Sequence, residues 1–218
     1  MKKRRLIILI PLLLLPMLSG CGKRDYNAYV SEAKTDIFIA QAENFNVTLS
    51  CVEREYPYIS DGIPCPLTRV VEISLTGELA PAACEVYVTG ENPIGGEMTF
   101  RTYAGDFFFS QSVETFYEGS VSLRVLTDGA ETELTATSVK TPDTLSVRDA
   151  LGCAVKAERE QIDLMTGDDG FAGEFYVRLL RRESNYYYVG IIDRKGGTLS
   201  LLLDAETGEV LARRKSQG

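Results

Sequence analysis

The chain contains no histidine, and this absence removes more chemistry than any motif present adds. Imidazole is the usual general base near neutral pH. Without it a Ser-His-Asp triad, a Cys-His dyad and an HExxH zinc site are all excluded. Carboxylates, lysines and thiols remain. The 31 Asp+Glu offer many pairs for acid–base hydrolysis of glycosides, but no spacing singles one out. Ser31 and Lys34 stand three residues apart, the spacing of a serine nucleophile with a lysine base, yet no further motif completes such a site and the match reads as chance. Asp163, Asp168 and Asp169 offer oxygen ligands for calcium, but they lack the spacing of a calcium loop and read as a solvated helix end. Cys51, Cys65, Cys84 and Cys153 form no CxxC pair, so zinc is not indicated. Cys51 alternates with Phe45, Val47 and Leu49, and Cys84 with Val86 and Val88, which places both in a core. Buried free thiols and a disulfide both remain open; Cys51–Cys65 is the pairing favoured if a bridge exists. No metal or cofactor is expected.

The fifth cysteine carries different chemistry. Met1–Arg5 holds four cations, Leu6–Leu18 is an uninterrupted apolar run, and Leu18-Ser19-Gly20-Cys21 follows at once. The run is shorter than the roughly 20 residues that span a bilayer, and it contains two prolines. Charge, apolar run and small residues before a cysteine, in that order, resemble the signal peptide and lipobox of bacterial lipoproteins. The resemblance implies cleavage before Cys21 and acylation of that residue with at least two chains, which suffices for stable anchoring. The expected address is the extracytoplasmic face of a cell membrane.

Charge limits the partners. The chain has 23 Lys+Arg against 31 Asp+Glu, and removal of residues 1–20 leaves 19 cations and a net of −12. Nucleic-acid affinity rests on cations that neutralise phosphates, so no nucleic-acid partner is expected. Anionic headgroups repel such a body as a whole, so membrane attachment falls to the acyl chains on Cys21.

Two units follow a tether over residues 21–34. From 35 to 140, eight short alternating runs separated by turn residues predict an immunoglobulin-like β-sandwich: Asp36–Ala40, Asn44–Val52, Arg69–Thr76, Ala83–Thr89, Gly96–Arg101, Phe107–Val113, Ser120–Leu126 and Glu131–Val139. Asp128-Gly129 predicts a hairpin turn. Glu53–Leu67, with three prolines and two tyrosines, predicts a long connection that is either a functional loop or a stiffened crossover. After Thr141-Pro142-Asp143, an apolar stripe through Val147, Leu151, Ala154, Ile162 and Met165 predicts one helix, capped by Asp143 or Thr144 and running to about Met165. Glu174–Arg182, Tyr186–Arg194, Thr198–Asp204 and Glu209–Arg214 predict an antiparallel meander, so that residues 143–215 form an α+β unit and the whole chain is mostly β plus α+β.

The last third of the chain resembles a PepSY domain. The residues that carry the likeness are Tyr186–Ile192, the turn Lys195-Gly196-Gly197, and Leu201-Leu202-Leu203-Asp204-Ala205-Glu206-Thr207-Gly208-Glu209-Val210-Leu211, preceded by a helix with Ala150, Ala154 and Ala157. The chain as a whole resembles small two-domain lipoproteins of clostridia-like bacteria. In the meander Asp204, Thr207 and Gly208 read as a structural turn. The PepSY resemblance implies a unit that binds, and in some settings restrains, a peptidase of the cell envelope; no peptidase domain accompanies it here.

Strand alternation gives the meander two faces. Phe175, Val177, Leu179, Tyr187, Val189 and Ile191 are expected beneath the helix. Tyr176, Arg178, Leu180, Tyr186, Tyr188, Ile192 and Leu202 then share the other face, of which Tyr176, Arg178, Tyr186, Tyr188 and Leu202 are the candidate binding residues, since Tyr and Arg are favoured at recognition surfaces. The expected function is a lipid-anchored, non-catalytic module that binds an envelope peptide or protein. A structural or assembly lipoprotein that buries the tyrosine face against the sandwich is one alternative, and a carboxylate-dependent envelope hydrolase is another.

Overall fold

The computed structural model describes residues 24–55, 65–78 and 83–216. Cys21, the leader before it, and residues 56–64 of the expected Glu53–Leu67 connection lie outside the described residues. Among the described residues the fold is mostly β, with thirteen strands in one continuous sheet and two short α-helices.

The first half runs β1 (Val30–Gln41), β2 (Phe45–Glu55), β3 (Leu67–Gly77), β4 (Cys84–Thr89), β5 (Ile94–Glu97), β6 (Thr99–Arg101), β7 (Asp106–Ser112), β8 (Ser120–Thr127) and β9 (Ala130–Ser138). One layer is ordered β1-β2-β3-β7-β6 and a second β9-β8-β4-β5. They enclose Phe38, Val47, Leu49, Ile73, Val86, Leu123 and Ala136, each no more than 2% exposed. The alternation that predicted these strands is the alternation that fills this core. Asp128 and Gly129 both take positive φ, 49° and 85°, and make the tight turn between β8 and β9.

The run Gly96–Arg101, expected as one strand, is two. Met98 separates them: it is buried, and its N–H donates to the Cys84 carbonyl at 2.8 Å. The half before Met98 pairs with β4 in the second layer, and the half after it pairs with β7 in the first. The segment therefore crosses between layers, and together with the β1–β9 pairing it brings the structure close to a closed barrel.

The second half contains α1 (Val147–Ala157), α2 (Arg159–Leu164), a two-residue hairpin β10 (Thr166–Gly167) and β11 (Gly170–Phe171), then β12 (Gly173–Arg181), β13 (Asn185–Asp193), β14 (Thr198–Asp204) and β15 (Val210–Ser216). The last four form an antiparallel meander. The single helix expected to reach Met165 is broken at Glu158, whose backbone leaves the helical region at φ −113°, ψ 29°. The Glu158 carboxylate is held 3.0 Å from the Arg213 guanidinium of β15, and beyond the break Ile162 is fully buried. The helix cap is Ser146, which accepts from the Asp149 N–H, in place of Asp143 or Thr144.

Of the tether expected over 21–34, residues 26–34 are folded. Tyr26–Tyr29 forms a 3-10 turn capped by Asp25, and Tyr26 packs edge-on to Phe171 and Phe175. Val30–Lys34 is the first half of β1 and lies parallel to β12, so the two halves of the chain share one sheet. The described cysteines are all free thiols, and Cys51 and Cys65 form no bridge. Cys51 and Cys84 are buried in the first core, and burial pushes their thiols up to about 12 and about 11, which keeps them protonated and unreactive.

The turn after β14 forms as a staple. The Asp204 carboxylate accepts from the N–H of Thr207 at 2.8 Å and of Glu206 at 3.0 Å, and from the Thr207 hydroxyl at 3.0 Å. These donors, the Thr207 N–H foremost, hold the carboxyl below its usual range. Such a shift contributes stability above the unfolded carboxylate pKa that is lost as pH falls through the folded one. Gly208 has φ 72°, and a Cβ there would stand 2.5 Å from Cys153 Sγ on α1. Gly208→Ala is expected to destabilise the fold by about 1–3 kcal/mol in urea unfolding. Cys153→Ala in that background is expected to recover only part of the loss, because it removes the contact and leaves the backbone strain.

Candidate functional site

Strand register decides which side chains can act together. In β12 and β13, Phe175 lies opposite Ile191, Val177 opposite Val189 and Leu179 opposite Tyr187. All six are at most 1% exposed and pack with Leu151 and Ala154 of α1. Tyr187 keeps its polar end satisfied by donating to the Leu145 carbonyl at 2.8 Å.

The opposite face crosses the sheet in two adjacent rows. One runs Arg54–Glu32–Tyr176–Gly190–Ser200–Arg214, and the other Val52–Lys34–Arg178–Tyr188–Leu202–Ala212. Arg178 is fixed by a two-point ion pair to Glu32, at 2.6 and 3.1 Å, with side chains 35% and 13% exposed. Its guanidinium carbon lies 5.1 Å from the Tyr176 ring centre and 5.9 Å from that of Tyr188. Gly190 leaves the space both rings use, since a Cβ there would stand 3.2 Å from Tyr188 and 3.4 Å from Tyr176. Tyr188 shares a 2.9 Å hydrogen bond with Ser200. Burial lowers the Lys34 pKa, while Glu72 and Glu32 oppose that shift.

Of the five candidate binding residues, Tyr176 is buried, and Arg178, Tyr186, Tyr188 and Leu202 are half-buried. None belongs to either core, so the face is not packed into the sandwich interior. A shallow groove of about 400 Å³ opens beside it, lined by Tyr188, Ser200, Leu202, Ala212, Arg214 and Ser216. Tyr186, opposite Asp204, lies one row further along the sheet. A tether over residues 21–34 places neither Glu32 nor Lys34 on this face; in Val30-Ser31-Glu32-Ala33-Lys34 only Val30 and Ala33 are apolar, three apart, so no alternation marks a strand.

A second groove, about 750 Å³, lies between the N-terminal 3-10 turn and the helices, with Tyr26, Leu151 and Val155 in its lining. Its rim is tied together by Arg148–Asp25 at 3.2 Å and Arg159–Asp163 at 2.9 Å. It was missed for the same reason, because Arg24–Asn27 were placed in the tether. The ion pair also gives Asp163 a cationic partner, and no cluster of three or more Cys, Asp or Glu suited to a metal occurs among the described residues. Ser31 is fully buried within β1, its hydroxyl 3.4 Å from the Phe175 carbonyl, which is no setting for a nucleophile. Among the described residues no helix is long and apolar enough to cross a membrane.

Comparison with protein families, with curated proteins and with solved structures finds no match to this chain. The geometry of the face therefore carries the functional argument.

The Glu32–Arg178 pair is the element of that face most open to test. Glu32→Gln leaves Arg178, Lys34 and Arg54 gathered around one fewer carboxylate, and is expected to destabilise the protein by about 1–3 kcal/mol. In a double-mutant cycle with Arg178→Met the coupling is expected to reach about 1 kcal/mol or more. A coupling of zero would mark the pair as a solvent contact of no structural consequence.

Proposed function

We propose that the mature protein is held on the extracytoplasmic face of a bacterial membrane through acylated Cys21 and binds an envelope peptide or protein without catalysing a reaction. The sandwich, which we take to be immunoglobulin-like, acts as spacer and support. The C-terminal unit, which we take to be PepSY-like, presents the binding face, and modulation of a peptidase is the role that family analogy suggests.

The observation that carries this reading is the ordered Tyr176–Arg178–Tyr188 cluster, which lies outside both cores and beside a groove. Its rings and guanidinium are already fixed by Glu32, Ser200 and the space above Gly190, so little side-chain freedom is lost when a partner docks. Aromatic and arginine side chains held in this way are the usual anchors of recognition surfaces. The lipid anchor is supported by the order of charge, apolar run and Leu18-Ser19-Gly20-Cys21.

The test uses the full chain expressed in a lipoprotein-processing bacterium and recovered in non-ionic detergent. Intact mass is expected to show loss of residues 1–20 and acyl chains at Cys21, both absent in Cys21→Ser. Cross-linking in isolated envelopes is expected to capture a partner with the wild type and to lose it with Tyr188→Ala or Leu202→Asp. Capture indifferent to both substitutions, or none, contradicts the binding reading; an unacylated Cys21 contradicts the address.

A further inference from the structure

The meander ends on an open edge. β15 pairs with β14 on one side, and among the described residues no strand pairs with its other side. In an antiparallel edge strand every second residue directs its N–H and C=O outward, where they are available to a further strand. Six of the seven residues of β15 are exposed and the first, Val210, is half-buried, so no other part of the described protein covers this edge.

The edge is also the basic part of an acidic molecule. Residues 35–140 hold five Lys+Arg against sixteen Asp+Glu, whereas residues 173–216 hold eight against six. Three of those cations, Arg213, Arg214 and Lys215, are consecutive in β15, which contains no acid. Arg194 and Lys195 sit in the turn just before Thr198, the residue paired with Ser216, and so extend the positive charge at that end. Arg213 and Lys215 lie on the helix side, where they reach Glu158 and Gln161 at 3.0 and 3.3 Å. Arg214 stands on the outer face, opposite Ser200, and lines the groove beside Tyr188.

We infer that β15 is a docking edge for an extended acidic segment of another protein, which adds to the sheet as its next strand and lays alternate side chains over the groove beside Tyr188. This rests on the binding role proposed above and names both its site and the chemistry of its partner. Backbone pairing to the outward groups of β15 supplies affinity, and alternate carboxylates on the outer face, set beside Arg214, supply selectivity, with Arg213 and Lys215 adding to the positive field of the edge. A second copy of this chain brings the same three cations and no carboxylate in β15, so its own edge offers no charge complement.

The experiment uses the full chain in non-ionic detergent and a fluorescein-labelled probe, acetyl-Glu-Val-Glu-Ile-Asp-Val-Glu-amide. Anisotropy measures binding, and hydrogen exchange locates it. The probe is expected to bind, to slow exchange in residues 210–216, and to weaken at least about threefold as ionic strength rises from about 0.05 to 0.3 M. A probe with lysine at the four acidic positions is expected to bind at least about tenfold more weakly. Of two acidic probes N-methylated at alternate backbone nitrogens, in the two opposite phases, at least one is expected to lose about tenfold or more while its charge is unchanged. Arg214→Glu, at an exposed side chain, is expected to weaken the acidic probe several-fold without lowering the unfolding midpoint.

No binding, or binding without protection of 210–216, overturns the inference and leaves the cations as a guard that keeps the edge from pairing. Equal binding by both methylated probes overturns it in favour of charge attraction alone. A concentration-dependent dimer lost in Arg214→Glu would overturn it in favour of self-association. Partner capture that depends on Tyr188 in the envelope, with no probe binding at β15, would sink the edge while leaving the face; probe binding at β15 with capture indifferent to Tyr188 would do the reverse.

Discussion

The structure depends on one strand that serves two neighbours along a single edge. β1 pairs with β2 along its length, while its other edge pairs first with β12 and then with β9. The change occurs at a bulge between Lys34 and Asp36. There the Asp36 carboxylate accepts from the Ile37 N–H and the Ser138 hydroxyl, both at 2.7 Å. Burial raises the Asp36 pKa and these donors oppose that shift, so the bulge is held by a carboxylate that the fold has partly desolvated. Val139 then donates to the Ile37 carbonyl, and Asn185 of β13 donates to the carbonyl of Val139. Through this junction the two cores are joined by backbone pairing, and their relative placement does not depend on a flexible linker.

The candidate face follows from the same strand. Because the first half of β1 lies beside β12, Glu32 reaches Arg178 and Lys34 stands opposite it. With the pair formed, the guanidinium lies 5.1 and 5.9 Å from two tyrosine ring centres. Among the described residues the other end of the same meander has no such neighbour and finishes as the basic edge strand β15. One sheet thus presents an aromatic row around Tyr188 and, two strands away, a positively charged edge strand.

Much of the mostly-β pattern was legible because it rests on local alternation. Phe45, Val47, Leu49 and Cys51 announce a strand, and Phe175, Val177 and Leu179 announce the face beneath the helix. The turn from Asp204 to Gly208 was legible because its chemistry is contained in five residues. What escaped was decided by partners distant in sequence. Val30–Lys34 has no strong pattern of its own and becomes a strand by pairing with β12, where its partners, such as Phe175 opposite Val30, lie far along the chain. The helix break at Glu158 reflects a carboxylate turned towards Arg213, and the split at Met98 reflects a backbone bond to Cys84 in the other layer. A tether over residues 21–34 leaves no place for Glu32 in the sheet or for a groove beside Tyr26, and both follow only once the chain passes through the sheet.

Hydrogen exchange of the β1 amides, read residue by residue, tests the shared strand most directly. If β1 joins the two cores, the paired amides from Glu32 to Gln41 exchange only through the slow opening that also releases Val177 and Leu49. If amides 30–34 exchange within seconds while those from Ile37 onward stay protected, the first half of β1 is a tether after all, and the ordered face built on Glu32 goes with it.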